Sequence, residues 1–93
     1  MNNQISIRVR IAGKVQGVFF RAWTYQQATS LGLSGWVRNR LDGSVETVFS
    51  GPEKLVHEML ESCWLGSTSS QVLNVTNERC KTPKSGFYKL PTI

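Results

Sequence analysis

Between Ile5 and Ile11 every second residue is apolar: Ile5, Ile7, Val9 and Ile11 alternate with Ser6, Arg8 and Arg10. That period of two predicts a strand with one face on a core, and Gly13 marks its end. From about residue 22 to residue 31 the spacing changes. Phe20, Thr24, Ala28 and Leu31 fall on one helix face, and Gly32 stands where a helix would stop. Two further strands are predicted over 35–40 and 44–50, joined through Asp42-Gly43, a strong hairpin signal. Gly51-Pro52-Glu53 then opens a second helix, with proline in its first turn and an acid beside the positive helix end. Leu55, Val56, Met59, Leu60 and Cys63 form its apolar stripe, which reads as core. The polar segment 65–71 (LGSTSSQ) leads to a strand at 72–79, and a short terminal strand is predicted at 87–90.

The order β-α-β-β-α-β plus a tail strand predicts a single domain, 1–93, of α+β class. It is a ferredoxin-like sandwich with an antiparallel sheet, two helices on one face and a short C-terminal strand. In that topology the third strand lies between the first and second, which run parallel because a helix crosses over between them. The loop after the first strand and the C-terminal end of the second therefore emerge at the same edge of the sheet.

Charge adds a partner class without naming it. Eleven Lys and Arg against six Asp and Glu give a net charge of +5, which favours an anionic partner: nucleic acid, membrane surface or a small phosphorylated molecule. The basic residues are scattered, and a solvated surface accounts for most of them. Cys63 and Cys80 form no metal-ligand pattern and are expected to be free thiols, and His57 reads as a solvent-facing helix residue. No metal site is expected. The stretch MNNQISIRVRIAG lacks the pattern of a secretory leader, and no apolar run is long enough to span a bilayer, so a soluble, cytoplasmic chain is expected.

The shared sheet edge carries the candidate chemistry. In GKVQGVFFR, Gly13 to Arg21, a glycine-containing loop runs into a helix start. Successive backbone N–H groups in such a loop, aided by the helix dipole, make an anion cradle, and an arginine at the helix start offers a bidentate fork to phosphate oxygens. The candidates are the amides of Val15, Gln16, Gly17, Val18, Phe19 and Phe20, together with Arg21 and, from the second strand, Asn39. The nucleotide-binding pattern GxxxxGK[ST] is missing. The same residues also fit a tight strand-to-helix turn with an exposed arginine.

GKVQGVFFR followed by LGLSGWVRN, then DGSVE and SGP, resembles the acylphosphatase family continuously from Gly13 to Pro52. The resemblance implies the fold already inferred and hydrolysis of the carboxyl–phosphate bond of acyl phosphates without metal or organic cofactor. It implies that Arg21 and Asn39 are the catalytic pair and that the amides of residues 15–20 hold the phosphate. The less typical LGSTSSQ segment and the Cys80 region are expected to leave the site untouched.

The chemistry is consistent with so small a set of groups. A carboxylate, whose conjugate acid has a pKa of about 4, leaves without a general acid. Phosphoryl transfer then asks mainly for positioning and for charge stabilisation on the equatorial oxygens. A site gripping only the phosphate would leave the acyl group in solvent and accept acetyl, carbamoyl, aryl or glycolytic acyl phosphates alike. Inorganic phosphate is expected as product and competitive ligand, and a monomer without nucleic-acid or membrane partners is expected. Two rival readings remain. An RNA-binding module of the same strand order would need stacking aromatics where the third strand has SVETVFS. A silent regulatory domain would keep the cradle without turnover.

Overall fold

The computed structural model describes residues 3–93, so Met1 and Asn2 of the N-terminal stretch lie outside the described residues. Seven elements follow in order: β1 (Gln4–Lys14), α1 (Phe20–Ser30), β2 (Ser34–Asn39), β3 (Val45–Pro52), α2 (Glu53–Leu65), β4 (Gln71–Arg79) and β5 (Phe87–Lys89). They form one five-stranded sheet of order β4-β1-β3-β2-β5. β3 lies antiparallel between β1 and β2, as the strand order requires. The tail strand adds a feature of its own: β5 pairs parallel with β2, so the sheet is mixed. β4 ends at the opposite edge of the sheet, and the chain crosses the sheet before β5 begins.

The period of two in β1 becomes a two-sided strand. Ile5, Ile7, Val9 and Ile11 are buried in one cluster with Val37, Val45 and Phe49 from the sheet and with Phe20, Ala28, Val56, Met59 and Cys63 from the helices. Each large apolar side chain so buried contributes about 1.5–3 kcal/mol. Both helices therefore pack on the face that the alternation marked. Cys63 and Cys80 are free, and His57 is exposed.

The other face carries a charge cluster that the scattered basic residues did not suggest. Glu46 has a side chain only 3% exposed and accepts hydrogen bonds from Arg38 Nε at 2.9 Å and Arg40 NH1 at 2.8 Å. Arg8 stands 3.9 Å away and is itself bonded to Glu78. Burial pushes the Glu46 carboxyl up, but the bonds from Arg40 and Arg38 outweigh it and hold the group below the ordinary carboxylate range. A depressed folded-state pKa stabilises the fold above the ordinary carboxylate range. That stability is lost as pH falls through Glu46's own lower value. Glu46→Gln is expected to cost about 2 kcal/mol at neutral pH and to lower Tm by roughly 10 °C. Urea melts at pH 7 and pH 3 check this, since the gap to wild type should narrow at the lower pH.

Candidate active site

At one edge of the sheet β1, β2 and β5 end and β4 begins, with Lys14 paired to Gln71 and Val37 to Lys89. This gathers the 15–19 loop, Asn39, Lys89 and the 66–70 segment from distant parts of the chain. The loop enters α1 through Phe19, which takes the left-handed conformation (φ 60°, ψ 21°). For a non-glycine residue this region costs of order 1–3 kcal/mol. The Phe19 ring is also 84% exposed. A strained backbone and a bared aromatic at one residue add nothing to stability, which points to a functional constraint. Gly17 has φ 71°, and a Cβ there would meet nothing within 4 Å. Its glycine answers a backbone requirement and leaves the peptide open to approach.

No side chain caps α1 and no acid stands in its first turn, whereas α2 opens with Glu53. The positive end of α1 is thus left without a protein anion. A cavity of about 350 Å³ opens there, lined by Val15, Gln16, Gly17, Phe19, Phe20, Arg21 and Asn39, with Ala22 and Lys89. Of the residues expected at this site only Val18 stands apart. It is buried, and its carbonyl accepts the Ser67 hydroxyl at 3.0 Å.

Asn39 follows Val37 by two positions and so leaves β2 on the core face, at its open end. Its backbone carbonyl accepts the Ile93 N–H at 3.2 Å. Its side-chain Oδ1 is buried with no hydrogen-bond partner among the described residues. The flanking Arg38 and Arg40 are held on the opposite face by Glu46. Arg21 makes no salt bridge with the described residues. The Arg21 cation is therefore not taken up by a carboxylate among the described residues, while those beside Asn39 are.

The loop and the strand end are tied to each other through Gln16. Its side-chain amide donates to the carbonyls of Arg40 at 2.6 Å and Ser44 at 2.8 Å. That turn is locked in its own right by Asp42, whose Oδ1 accepts the Ser44 N–H and hydroxyl at 2.9 and 2.6 Å. Gln16 thus braces the loop against the strand that carries Asn39.

No residue of the LGSTSSQ segment lines the cavity that Arg21 and Asn39 share, but the segment borders it. Ser67 is buried and bonded to the loop at Val18, and Ser67, Thr68 and Ser69 line a groove that also includes Phe19. The reason is topological: the segment feeds β4 at the edge where β1 ends. Lys89 lines the cavity as well, and it is not among the residues expected there from sequence. It lies two residues after Phe87, whose ring stacks 6.0 Å from the core ring of Phe49, so a lysine follows on the core-facing side of a strand.

The two cysteines stand outside this cavity, and burial pushes the Cys63 thiol up to about 12. Among the described residues no three of His, Cys, Asp and Glu gather into a metal-holding group. No helix among them is long and apolar enough to cross a membrane.

The element order and sheet topology define a ferredoxin-like α+β sandwich. Solved structures agree: an acylphosphatase from Coxiella burnetii superposes with a TM-score of 0.90 at 37% identity over 95% of this chain and 94% of its own. An acylphosphatase from Bacillus subtilis gives 0.88 at 32% identity, over 92% of this chain and 98% of its own. In sequence, the chain is 50% identical over 94 residues to an acylphosphatase of Rhizorhabdus wittichii, covering 98% of this chain and 93% of the relative. It is 46% identical over 89 residues to one of Rhodospirillum rubrum, covering 95% and 98%. The family model described as Acylphosphatase matches residues 7–88. The chain belongs to the acylphosphatase family and is an enzyme of that type, a hydrolase of acyl phosphates.

Proposed function

We propose that hydrolysis proceeds by metal-free, in-line attack of a water held by Asn39 on a phosphate gripped by Arg21 and the backbone amides of residues 15–20. The observation that carries this reading is the buried Oδ1 of Asn39, without a partner among the described residues, in the wall of the cavity that Arg21 and the uncapped end of α1 also line. A buried acceptor of that kind calls for a donor. A water O–H supplies one, and its lone pair is then free to face phosphorus.

The oxygen of that water bonds to phosphorus as the bond from phosphorus to the acyl oxygen breaks, and the electron pair leaves on the carboxylate. One water proton passes to a non-bridging phosphate oxygen. An acyl phosphate dianion and water thus yield a carboxylate and dihydrogen phosphate, with atoms and charge in balance. Arg21 and the helix end oppose the charge on the equatorial oxygens, where most of the rate enhancement of such sites arises. Inorganic phosphate binds the same groups as product and competitor.

An RNA-binding role finds less support on the open sheet face. Trp36 is covered by the Arg38 guanidinium at 4.7 Å and Tyr88 by the Lys84 ammonium at 4.5 Å. Arg8, Arg38 and Arg40 are engaged by Glu78 and Glu46. Neither the aromatics nor these cations stand free for a stacked base or a phosphate.

A panel of acyl phosphates and phosphate monoesters, assayed with and without prolonged EDTA treatment, tests this reading. Acyl phosphates should turn over unchanged after chelation, and monoesters far more slowly, because an alkoxide leaves poorly without an acid. Loss of activity that magnesium or zinc restores, or comparable rates on monoesters, would overturn the mechanism.

A further inference from the structure

Among residues 15–20 Val18 alone does not line the cavity that Arg21 and Asn39 share, and its carbonyl accepts the Ser67 hydroxyl at 3.0 Å in a buried bond. The peptide that carries this carbonyl also carries the Phe19 N–H. A trans peptide is planar, so its C=O and N–H point in opposite directions, and fixing one fixes the other. We propose that Ser67 is a positioning residue of the active site: by pinning the Val18 carbonyl on one side of the loop it aims the Phe19 N–H at the phosphate on the other. The proposal rests on the mechanism above for the place of the phosphate.

Three observations carry it. Phe19 lines the cavity, and its N–H donates to no carbonyl among the described residues, so the donor is left for a ligand. Phe19 also holds a left-handed conformation (φ 60°), which persists only where the surroundings enforce it. The chain supplies that constraint on both sides: the Phe19 carbonyl accepts the Trp23 N–H at 2.9 Å, and the preceding peptide is bonded to a serine 49 positions away. Turning that peptide over would withdraw the N–H from the cavity and leave a buried carbonyl and a buried hydroxyl without partners, which burial penalises. Ser67 is itself firmly placed. Its carbonyl accepts the Ser70 N–H at 3.0 Å and the Ser70 hydroxyl at 2.7 Å, while the Gly66 N–H donates to the Ser62 carbonyl at 2.9 Å, at the end of α2. A Cβ at Gly66 would stand 3.0 Å from the Phe20 ring, so the turn packs closely on the start of α1. A turn outside the cavity thus sets a peptide of the cradle without touching the ligand.

Titration with inorganic phosphate, followed through the backbone amides by proton–nitrogen correlation spectra, tests the proposal on wild type, Ser67→Ala and Ser70→Ala. In wild type the Phe19 N–H should move downfield as phosphate saturates the site, together with the Gly17 N–H. In Ser67→Ala the Phe19 shift should shrink, the Kd for phosphate should rise about tenfold, and kcat/KM for an acyl phosphate should fall about tenfold to a hundredfold. Ser70→Ala removes the other hydroxyl of the turn and leaves the Ser67 hydroxyl on Val18 and the Ser70 N–H on the Ser67 carbonyl. It should keep wild-type values for all three. A Ser67→Ala protein that lost stability alone, with shift and Kd unchanged, would overturn the proposal, as would equal losses in Ser67→Ala and Ser70→Ala. If Ser67→Ala does not fold, Ser67→Cys decides: a thiol fills the same space as a weak donor and should give the same changes in smaller measure. Wild-type behaviour in Ser67→Cys would then reject the role. The spectra of wild type also separate this proposal from the mechanism. A Phe19 N–H unmoved by phosphate while the Gly17 N–H responds would remove only the role of Ser67, and a loop in which no amide responds would remove both.

Discussion

Arg21→Ala should lower kcat/KM for an acyl phosphate by about 10³-fold or more and abolish stabilisation by inorganic phosphate. Arg21 lies in the first turn of α1, in the wall of the cavity, and makes no salt bridge with the described residues that the substitution would break. Alanine is the best helix former, so the fold should be unaffected. In the proposed mechanism both ground-state phosphate and the charge of the transition state depend on this cation, so binding and turnover should fail together. A ligand at a hundredfold excess over its Kd stabilises the native state by about 2.7 kcal/mol. For a chain of this size that is a rise in Tm of roughly 10 °C or more, which wild type should show with phosphate and Arg21→Ala should not. Arg21→Lys separates charge from shape: a point charge should restore part of the phosphate response and little of the rate, because the planar fork is lost. An Arg21→Ala protein that still gained stability from phosphate as wild type does would remove Arg21 from the site.

What the sequence made legible was local. The alternation in Ile5 to Ile11, the Asp42-Gly43 turn and the stripe from Leu55 to Cys63 each sit within one element, where side-chain period and turn chemistry act directly. That the loop and Asn39 meet at one end of the sheet was legible from the element order, and they line one cavity. What stayed hidden depended on pairings across the chain. Arg8, Arg38 and Arg40 read as scattered surface charge, and their convergence on buried Glu46 follows only from the register that sets Arg10 and Arg38 on either side of it. Lys89 reaches the site because β5 joins β2 in parallel, and three residues of strand carry no signal of which edge they will join. The start of α1 was predicted at Ala22 and lies at Phe20. Its N-cap is a phenylalanine in a left-handed conformation, and no propensity places one there. That departure from the local rules falls at the candidate site, where a strained residue is most expected.

Asn39→Ala should separate what Arg21→Ala joins. The backbone of Asn39 is held independently of its side chain, by its antiparallel pairing opposite Val45 and by the Ile93 N–H on its carbonyl, so alanine should leave the strand end in place. Only the carboxamide is lost, and with it the buried Oδ1 to which the attacking water is assigned. The proposed mechanism positions that water by Asn39 and the phosphate by other groups, so kcat should fall by about 10²–10³-fold. KM should move little, because the substrate's phosphate keeps its partners. Phosphate should raise the Tm of Asn39→Ala as much as that of wild type. Asn39→Asp keeps an acceptor of the same reach but sets a negative charge beside the phosphate, so it should lose phosphate stabilisation as well as rate. Near-full activity in Asn39→Ala would show that the water is held elsewhere. A loss of phosphate binding in Asn39→Ala equal to that in Arg21→Ala would make Asn39 part of the cradle.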